Sequence, residues 1–318
     1  MGRITDRIDA ITRIPPERMR AALPAHEERV KIEISPRCNY RCGFCALRVR
    51  AAQPKRDMDF GLFRRIAREL REAGVEEIGV FYLGESFMSP RLLVDCIAYL
   101  KRELATPYVF LTSNASMAFP EAVEECMKAG LDSLKWSVNA ADEAQFVRIM
   151  GVSGKLFRRA LDDLPPLGRC AAAAATRPAS TLPRSTTTAS STSACRRCFA
   201  SGCCLTSTST YRLPLYSMGS FAAQRERELG FRPTAGNQGR LGALRPPLPC
   251  WSAFTEGHVT ADGKLSACCF DATAHWTMGD LTRQSFMQAW NSPPFVALRE
   301  AHLRGDVRGT VCERCIAY

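Results

Sequence analysis

The segment from Ser35 to Leu47 reads Ser-Pro-Arg-Cys-Asn-Tyr-Arg-Cys-Gly-Phe-Cys-Ala-Leu, and it follows an apolar, strand-like run from Val30 to Ile34. Its cysteines have the spacing C-x3-C-x2-C, so one short loop offers three thiolates. A closed tetrahedral metal site needs four ligands. A 4Fe–4S cluster held by three thiolates keeps one iron open for another ligand. The spacing therefore indicates a cluster that binds a small chelating molecule and passes an electron into it.

This loop resembles the cluster loop of radical S-adenosylmethionine (SAM) enzymes, with Cys38, Cys42 and Cys45 as cluster ligands and Phe44 as the aromatic residue before the last cysteine. The resemblance implies that the open iron binds the amino and carboxylate groups of SAM. Reduction then yields methionine and a 5′-deoxyadenosyl radical that removes a hydrogen atom from the substrate. It also implies a reductant such as flavodoxin or ferredoxin. A zinc knuckle or a group of reactive cysteines is the alternative reading of the loop.

The bulk composition favours a cytoplasmic enzyme with metal-bound cysteines. The chain has 318 residues, enough for one large domain and a small one. Its sequence contains no run of about 18 apolar residues and no apolar secretory signal at the N-terminus, which argues against a membrane span and against export. In the cytoplasm, the 15 cysteines are interpreted as metal ligands rather than as disulfides.

The net charge of +11 is unevenly distributed. Residues 169–212 contain six arginines and no Lys, Asp or Glu, so only five net positive charges remain for the rest of the chain. A basic face for nucleic acid would need more charge than this. The charge therefore argues against a nucleic-acid partner.

The same stretch, residues 169–212, has an anomalous composition. It holds five consecutive alanines, 17 Ser or Thr residues and almost no apolar periodicity. Composition alone indicates a flexible linker, yet the stretch falls where a barrel still needs strands. We hypothesise that it is translated in the wrong reading frame, which resequencing of the gene would decide. The five cysteines in it are excluded as ligands: Cys170, Cys195, Cys198, Cys203 and Cys204.

Strands and helices alternate between residues 28 and 165. Predicted strands cover 30–34, 77–83, 108–112 and 133–138, and predicted helices cover 59–73, 120–129 and a segment that begins at Ser89-Pro90. Such units build a parallel sheet with outer helices, and the fold class is a partial (β/α)6 TIM-like barrel followed by a small α+β cysteine-rich iron–sulfur domain. Cys96 and Cys126 fall on apolar helix faces and are predicted to be core residues.

Polar residues follow each predicted strand, at the end where such folds hold their ligands. These residues also resemble family segments. Leu83-Gly84-Glu85 is similar to the Gly-Gly-Glu segment that receives the SAM amino group, although the first glycine is replaced by leucine. Gly84 lets backbone approach the ligand and Glu85 accepts from an ammonium. Thr112-Ser113-Asn114 resembles a Thr-Asn-Gly turn with Ala115 in place of glycine, and Ser137-Val-Asn139 resembles a Ser-Ile-Asp segment that meets the ribose or carboxylate of SAM. Simple turn chemistry is the alternative for Asn114 and Asn139.

Four further cysteines in the C-terminal region resemble the ligands of a SPASM or shorter "twitch" auxiliary-cluster domain. A hairpin is predicted at 258–265, with a turn at Asp262-Gly263, and helices at 285–290 and 295–303. The resemblance implies that Cys250, Cys268, Cys312 and Cys315 hold one auxiliary 4Fe–4S cluster. Cys269 is the alternate for Cys268, because adjacent side chains on a strand point opposite ways. A structural zinc site is the alternative for these four thiolates.

The predicted organisation has four parts: an N-terminal helical extension (1–27), the radical SAM partial barrel (28–231, including the anomalous stretch), a linker (232–249) and the SPASM/twitch-like domain (250–318). The predicted function is SAM-dependent hydrogen abstraction from a peptide or small-metabolite substrate, with the auxiliary cluster in electron transfer or substrate binding. The general acid or base cannot be named from the sequence. An RNA-modifying radical enzyme and a non-catalytic iron–sulfur scaffold are the alternatives.

Overall fold

A computed structural model describes residues 29–45, 47, 56–137, 139–140, 142–162, 186–192, 209–214, 223–230, 248–271 and 276–313. The predicted N-terminal extension and most of the predicted linker lie outside these residues. Helices and strands are numbered in chain order. The strands are β1 Arg29–Ile32, β2 Glu77–Gly79, β3 Tyr108–Ser113, β4 Ser133–Trp136, β5 Thr186–Thr192, β6 Ser209–Pro214, β7 Glu256–Val259, β8 Lys264–Ser266 and β9 Thr277–Asp280. The helices are α1 Phe60–Glu72, α2 Pro90–Ala98, α3 Pro120–Ala129, α4 Glu143–Met150, α5 Gly154–Asp162, α6 Ala223–Leu229, α7 Ser252–Thr255, α8 Phe286–Trp290 and α9 Pro293–Arg304.

Local capping fixes the helices close to where the sequence predicts them. The Asp59 side chain accepts a hydrogen bond from the Leu62 backbone at the start of α1, and proline occupies the first turn of α2 and α3. Helix α3 ends at Gly130, whose φ of 114° is left-handed. In α8, Ser285 and Gln288 form a capping box. These boundaries confirm the predicted helices to within two residues.

Within the described ranges the strands form one open sheet in the order β6-β5-β4-β3-β2-β1-β7-β8-β9. Strands β1 to β4 are parallel neighbours, which confirms the predicted partial barrel. Strands β5 and β6, in and just beyond the anomalous stretch, are antiparallel to β4 and to each other. They add to the sheet at its far edge. Strand β2 is shorter than predicted, because the chain turns after Gly79 toward the cysteine loop.

The C-terminal region joins the same sheet rather than forming a separate one. Strand β7 pairs in parallel with β1, with Lys31 opposite His258, and β7–β8–β9 continue as an antiparallel meander. The predicted hairpin turn at Asp262-Gly263 is confirmed, because Gly263 has a φ of 79° between β7 and β8. The central strand β1 therefore has the first half of the chain on one side and the C-terminal region on the other.

One face of this sheet is apolar, and the other mixes charged, polar and aromatic side chains. Val30, Ile32 and Ile78 on the first face pack into a core with residues of α1 such as Phe63 and Ile66. Cys96 and Cys126 belong to that core, with exposed fractions of 0% and 1%, as predicted. Because side chains alternate along a strand, the opposite face carries Arg29, Lys31, Glu77, Phe110, Glu256 and His258. We call this opposite face the inner face.

Candidate functional site

The cysteine loop, residues 35–45, is tied by backbone hydrogen bonds to two other parts of the fold. The Glu85 N–H donates to the Arg37 carbonyl over 2.7 Å, and the N–H groups of Arg41 and Gly43 donate to the carbonyls of Met150 and Ile149 over 2.9 and 2.8 Å. The end of α4 thus supports one side of the loop. The turn after β2 supports the other side.

The three predicted cluster ligands, Cys38, Cys42 and Cys45, are each half-buried. Cys38 packs at the junction of two small apolar clusters. It shares one with Cys42, Phe44 and Tyr40 and the other with Cys45. Half-buried thiols on one loop suit a cluster that must be shielded from water yet reached by a ligand. The cysteine loop therefore fits a three-thiolate cluster, and Phe44 lines its apolar side.

Glu85 is a buried carboxylate, 2% exposed, next to this loop. Its Oε1 accepts from the Ser113 hydroxyl over 3.0 Å and from the Phe87 N–H over 3.1 Å, and its Oε2 accepts from the Asn114 N–H over 2.7 Å. Burial raises the pKa of Glu85, and these three hydrogen bonds oppose that rise only in part. Among the described residues, no Lys, Arg or His forms an ion pair with it. Such a site fits the ammonium group of a ligand.

Asn114 connects Glu85 to the cysteine loop. Its side-chain nitrogen donates to Asn39 Oδ1 over 2.9 Å and lies 3.9 Å from Cys38 Sγ. Its side-chain oxygen accepts from Ser116, and this turn places Ala115 at a left-handed φ of 70°. The predicted residues Glu85, Ser113 and Asn114 are thus brought together with Cys38. The Asn114 side chain also stabilises this turn, as the turn-chemistry alternative expects, and its contact with the cofactor remains a prediction.

Gly84 is required by the cysteine loop. A Cβ at this position would lie 1.9 Å from the Ser35 carbonyl oxygen and 2.9 Å from that of Arg37. Such contacts exclude any side chain. Gly84 thus lies in close contact with the loop that carries the cysteines, and its predicted approach to the cofactor remains a prediction.

Ser137 follows β4 and lies beside the same site. Its backbone N–H donates to the Ser113 carbonyl over 2.9 Å, and the side chains of Ser137 and Asn139 are half-buried. Their contact with the cofactor remains a prediction.

An ion-pair network fixes the start of the cysteine loop. Arg37 forms a bidentate pair with Asp57, and the Ser35 and Ser89 hydroxyls donate to the same carboxylate over 2.8 and 2.6 Å. Burial works to raise the pKa of Asp57, but hydrogen bonds from Ser89, Ser35 and Arg37 lower it below its usual value. Sequence reasoning missed this network, because Asp57 lies 20 positions from Arg37 with no local motif.

The second cysteine site is assembled from the two ends of the C-terminal region. The Cys250 N–H donates to His302 Nδ1 over 3.2 Å, and His302 Nε2 lies 3.2 Å from Cys312 Sγ. His302 is 1% exposed, and burial lowers its pKa to about 4. One histidine thus brings together two predicted ligands 52 and 10 positions away from it along the chain. Cys315 lies outside the described residues.

Cys268 and Cys269 lie in a turn after β8, not on a strand as predicted. The argument that a strand points their side chains apart is therefore wrong. The turn still separates them. Cys268 Sγ accepts from the Phe270 N–H over 3.3 Å, whereas the Cys269 thiol lies within 4.8 Å of ligand atoms of Glu256 and His258.

Glu256 and His258 belong to a buried polar group on the inner face that sequence reasoning missed. Lys31 Nζ donates to Glu256 Oε1 over 3.0 Å and lies 3.4 Å from His258 Nε2. The Tyr82 ring packs on His258 with a centroid distance of 5.2 Å. Burial works to raise the pKa of Glu256, but Lys31, His258 and Arg29 lower it well below its usual range. The alternation of polar residues in the buried strand β7 was the available signal.

Two family models match the chain. Residues 32–164 match the radical SAM superfamily, and residues 250–316 match the SPASM iron–sulfur cluster-binding domain. Together they cover both cysteine sites. Among the described residues, no helix is long and apolar enough to cross a membrane.

Curated relatives match over part of their length. An S-adenosylmethionine-dependent nucleotide dehydratase of Danio rerio is 34% identical over 90 residues, which are 28% of this chain and 24% of the relative. A GTP 3′,8-cyclase of a Synechococcus species is 30% identical over 127 residues, which are 39% of this chain and 36% of the relative. The chain therefore spans only about a quarter to a third of these relatives.

Solved structures share the fold over most of the chain. BtrN in complex with AdoMet and 2-DOIA has a TM-score of 0.53 at 15% identity, covering 89% of this chain and 91% of BtrN. Streptococcus suis SuiB bound to the precursor peptide SuiA has a TM-score of 0.54 at 14% identity, covering 92% of this chain and 70% of SuiB. At these identities the likeness establishes the fold.

Proposed function

The chain is a radical SAM protein with a C-terminal SPASM domain, and from that premise we propose that it abstracts a hydrogen atom from a peptide or small-metabolite substrate. The first domain implies a 4Fe–4S cluster and SAM as cofactors, and the second implies auxiliary iron–sulfur. When bound, a cluster with an open iron supplies the electron that cleaves SAM to the 5′-deoxyadenosyl radical. In this proposal residues 28–231 form the radical barrel, 232–249 the linker and 250–318 the auxiliary domain.

The residues of the cysteine loop and the two neighbouring turns have distinct roles in this proposal. Cys38, Cys42 and Cys45 hold the cluster, and Phe44 shields it. Glu85 receives the SAM amino group, while Asn114 fixes Glu85 through its backbone N–H and faces Cys38 with its side chain. Ser113 holds the carboxylate of Glu85 in place, and Ser137 and Asn139 contact the sugar or carboxylate of SAM.

One observation carries this assignment. Glu85 is a buried carboxylate whose described partners are all neutral donors, and Asn114 places it next to the thiol of Cys38. Burying a charge without an opposite charge is costly. A cationic ligand at Glu85 removes that cost. SAM is such a ligand, because it carries a positive sulfonium: its amino group would donate hydrogen bonds to Glu85, and Cys38, Cys42 and Cys45 would hold the cluster that binds it.

The SPASM region then supplies a second redox centre. Cys250, Cys268, Cys312 and Cys315 are the proposed ligands of one auxiliary 4Fe–4S cluster, with Cys269 facing Glu256 and His258 instead. Tyr82 joins the two regions, because its hydroxyl donates to the Cys268 carbonyl over 2.9 Å while its chain segment leads into Gly84 and Glu85. A cluster held by these cysteines would supply an acceptor for an electron from the substrate radical, or would anchor the substrate. The reaction is therefore of an oxidoreductase or maturase type.

The inner face favours a polar substrate. Glu256 and His258 are buried there and Lys31 is partly buried, and an inner face that held a hydrocarbon would not carry these polar groups. Both a peptide and a hydroxylated or aminated small metabolite satisfy this requirement. The reductant in this proposal is a flavodoxin or ferredoxin.

The decisive experiment is reductive SAM cleavage by full-length protein expressed from a gene resequenced through codons 169–212. Anaerobically reconstituted protein should release 5′-deoxyadenosine with dithionite, and its electron paramagnetic resonance (EPR) spectrum should change when SAM is added. Cys42→Ala should abolish both. The matched control is Cys126→Ala, which removes a buried core thiol and should retain them. Intact clusters that give no 5′-deoxyadenosine and no spectral change would favour an iron–sulfur scaffold and end the proposal.

A further inference from the structure

His302 occupies a fixed position between two cysteines of the second site. It lies in the last turn of α9, which ends at Gly305 with a left-handed φ of 74°. The ring packs edge-on against Phe254 with a centroid distance of 6.3 Å, and the residue is 1% exposed. Both ring nitrogens therefore face protein groups rather than water.

The backbone of Cys250 selects the tautomer of this ring. A backbone N–H can only donate, and the Cys250 N–H points at Nδ1 from 3.2 Å. Nδ1 must then carry the lone pair, and in a neutral imidazole the proton lies on Nε2. Nε2 is the atom that lies 3.2 Å from Cys312 Sγ. The ring is thus arranged to donate an N–H···S hydrogen bond.

We propose that His302 is a positioning residue that donates a hydrogen bond from Nε2 to the Cys312 thiolate and thereby raises the reduction potential of the auxiliary cluster. This inference rests on the proposed function, since it requires the auxiliary cluster. A cluster gains one negative charge when it is reduced. A hydrogen bond to its sulfur stabilises the reduced state more than the oxidised state.

The same geometry argues that His302 is not itself a ligand. Ligation through Nε2 would need the lone pair on that nitrogen, which would move the proton to Nδ1. The Nδ1–H would then face the Cys250 N–H, so that two donors would oppose each other in a buried place. His302 therefore acts on the auxiliary cluster through Cys312.

The test uses the full chain with Cys38, Cys42 and Cys45 changed to alanine, which leaves only the auxiliary cluster to titrate. His302→Phe keeps an aromatic ring against Phe254 but has no donor, whereas His302→Gln keeps an N–H donor. At a fixed potential, we expect the ratio of reduced to oxidised cluster to fall about tenfold in His302→Phe, which is about 59 mV for a one-electron couple. His302→Gln should recover part of this loss. Equal potentials in all three proteins, at equal iron and sulfide content, would overturn the inference.

Metal analysis of the parent protein separates this inference from the proposed function. Zinc without sulfide in the second site would overturn the inference and the proposed auxiliary cluster, whereas loss of 5′-deoxyadenosine release would overturn the proposed hydrogen abstraction at the first site. A 4Fe–4S cluster whose reduction potential is unchanged by the His302 substitutions would overturn only the inference.

A second measurement covers the case in which the His302 variants lose the cluster. Pulsed EPR on the reduced parent protein, labelled with ¹⁵N-histidine, should detect one weakly coupled nitrogen and a coupled proton that exchanges in D₂O. Absence of histidine coupling, or the strong coupling of a directly bound nitrogen, would contradict the assignment.

Discussion

The two cysteine sites differ in how they are built and in the charge beside them. The first has its three thiols on one short loop, next to the buried carboxylate of Glu85, which has no cationic partner among the described residues. The second joins distant segments through His302, a hydrogen-bond donor. A negative charge beside an incomplete ligand set attracts a cationic ligand. A hydrogen-bond donor beside a cluster with four protein ligands stabilises an added electron on the cluster itself. In the proposed function, this contrast favours ligand binding at the first site and electron storage at the second.

The largest expected effect is loss of the second cluster with full retention of SAM cleavage at the first site. Cys312→Ala should remove about half of the iron, since one of two 4Fe–4S clusters is lost, while reductive cleavage of SAM continues at the first site. Iron content and 5′-deoxyadenosine release measure the two properties in the same sample. If Cys312→Ala stops SAM cleavage while the first cluster stays intact, the division of labour between the sites is wrong.

Gly84→Ala should damage the first site alone. The new Cβ would meet the Ser35 carbonyl at 1.9 Å, so the cysteine loop must shift, and overpacking of this kind costs about 1–3 kcal/mol of the free energy of unfolding. We expect loss of iron from the first site with the second cluster retained. The control is Gly230→Ala, where a Cβ has nothing within 4 Å and the cost is local backbone strain at a left-handed φ of 71°, and which should keep both clusters. Full iron in Gly84→Ala would contradict the packing argument.

Glu85→Gln should weaken SAM binding without loss of either cluster. The substitution keeps the shape but removes the negative charge that accepts hydrogen bonds from the SAM amino group, and a hydrogen bond to a charged group contributes about 1.5–3 kcal/mol. The dissociation constant of SAM should therefore rise roughly tenfold to a hundredfold. SAM titration followed by EPR measures it. The control is Glu143→Gln, an exposed carboxylate paired with Arg158; if both variants bind SAM equally well, Glu85 does not receive the amino group.

The sequence predicted the first site better than the second for a physical reason. Its three cysteines are close along the chain, and Gly84, Glu85, Ser113 and Asn114 follow parallel strands whose carboxyl ends meet at one edge. The rule that such folds hold ligands at the carboxyl ends of their strands was therefore enough to predict that these residues lie together. The rule could not predict that Gly84 serves the cysteine loop, because that contact depends on the path of both turns.

Contacts between distant segments account for what the sequence could not predict. His302 and Glu256 lie in a helix and a strand with no motif around them, and their roles arise only when β7 pairs with β1 and α9 packs near Cys250. The directions of β5 and β6 were equally hidden, since residues 169–212 carry almost no apolar period. Register and pairing over long separations are set by the whole core, which no local pattern encodes.

The smallest expected effect concerns how the first loop is held. The folded-state pKa of Asp57 lies below its unfolded value of 3.8, so the ionised carboxylate stabilises the fold above that pH, and this contribution is lost as the pH falls through the folded pKa. In unfolding titrations of the cluster-free protein, Asp57→Asn should lower the free energy of unfolding by about 1 kcal/mol at neutral pH. The difference in the free energy of unfolding between Asp57→Asn and the parent protein should disappear in acid.

The partner of Asp57 supplies the control for this prediction. Because Arg37 forms the bidentate pair with Asp57, Asp57→Asn should cost less in an Arg37→Gln background than in the parent protein. A cost that is equal in both backgrounds, or that does not change with pH, would mean that the ion pair does not hold the loop. The second site is held by buried His302 rather than by an ion pair. Retention of the second cluster should therefore not follow the titration of Asp57, and the two sites should respond differently to acid.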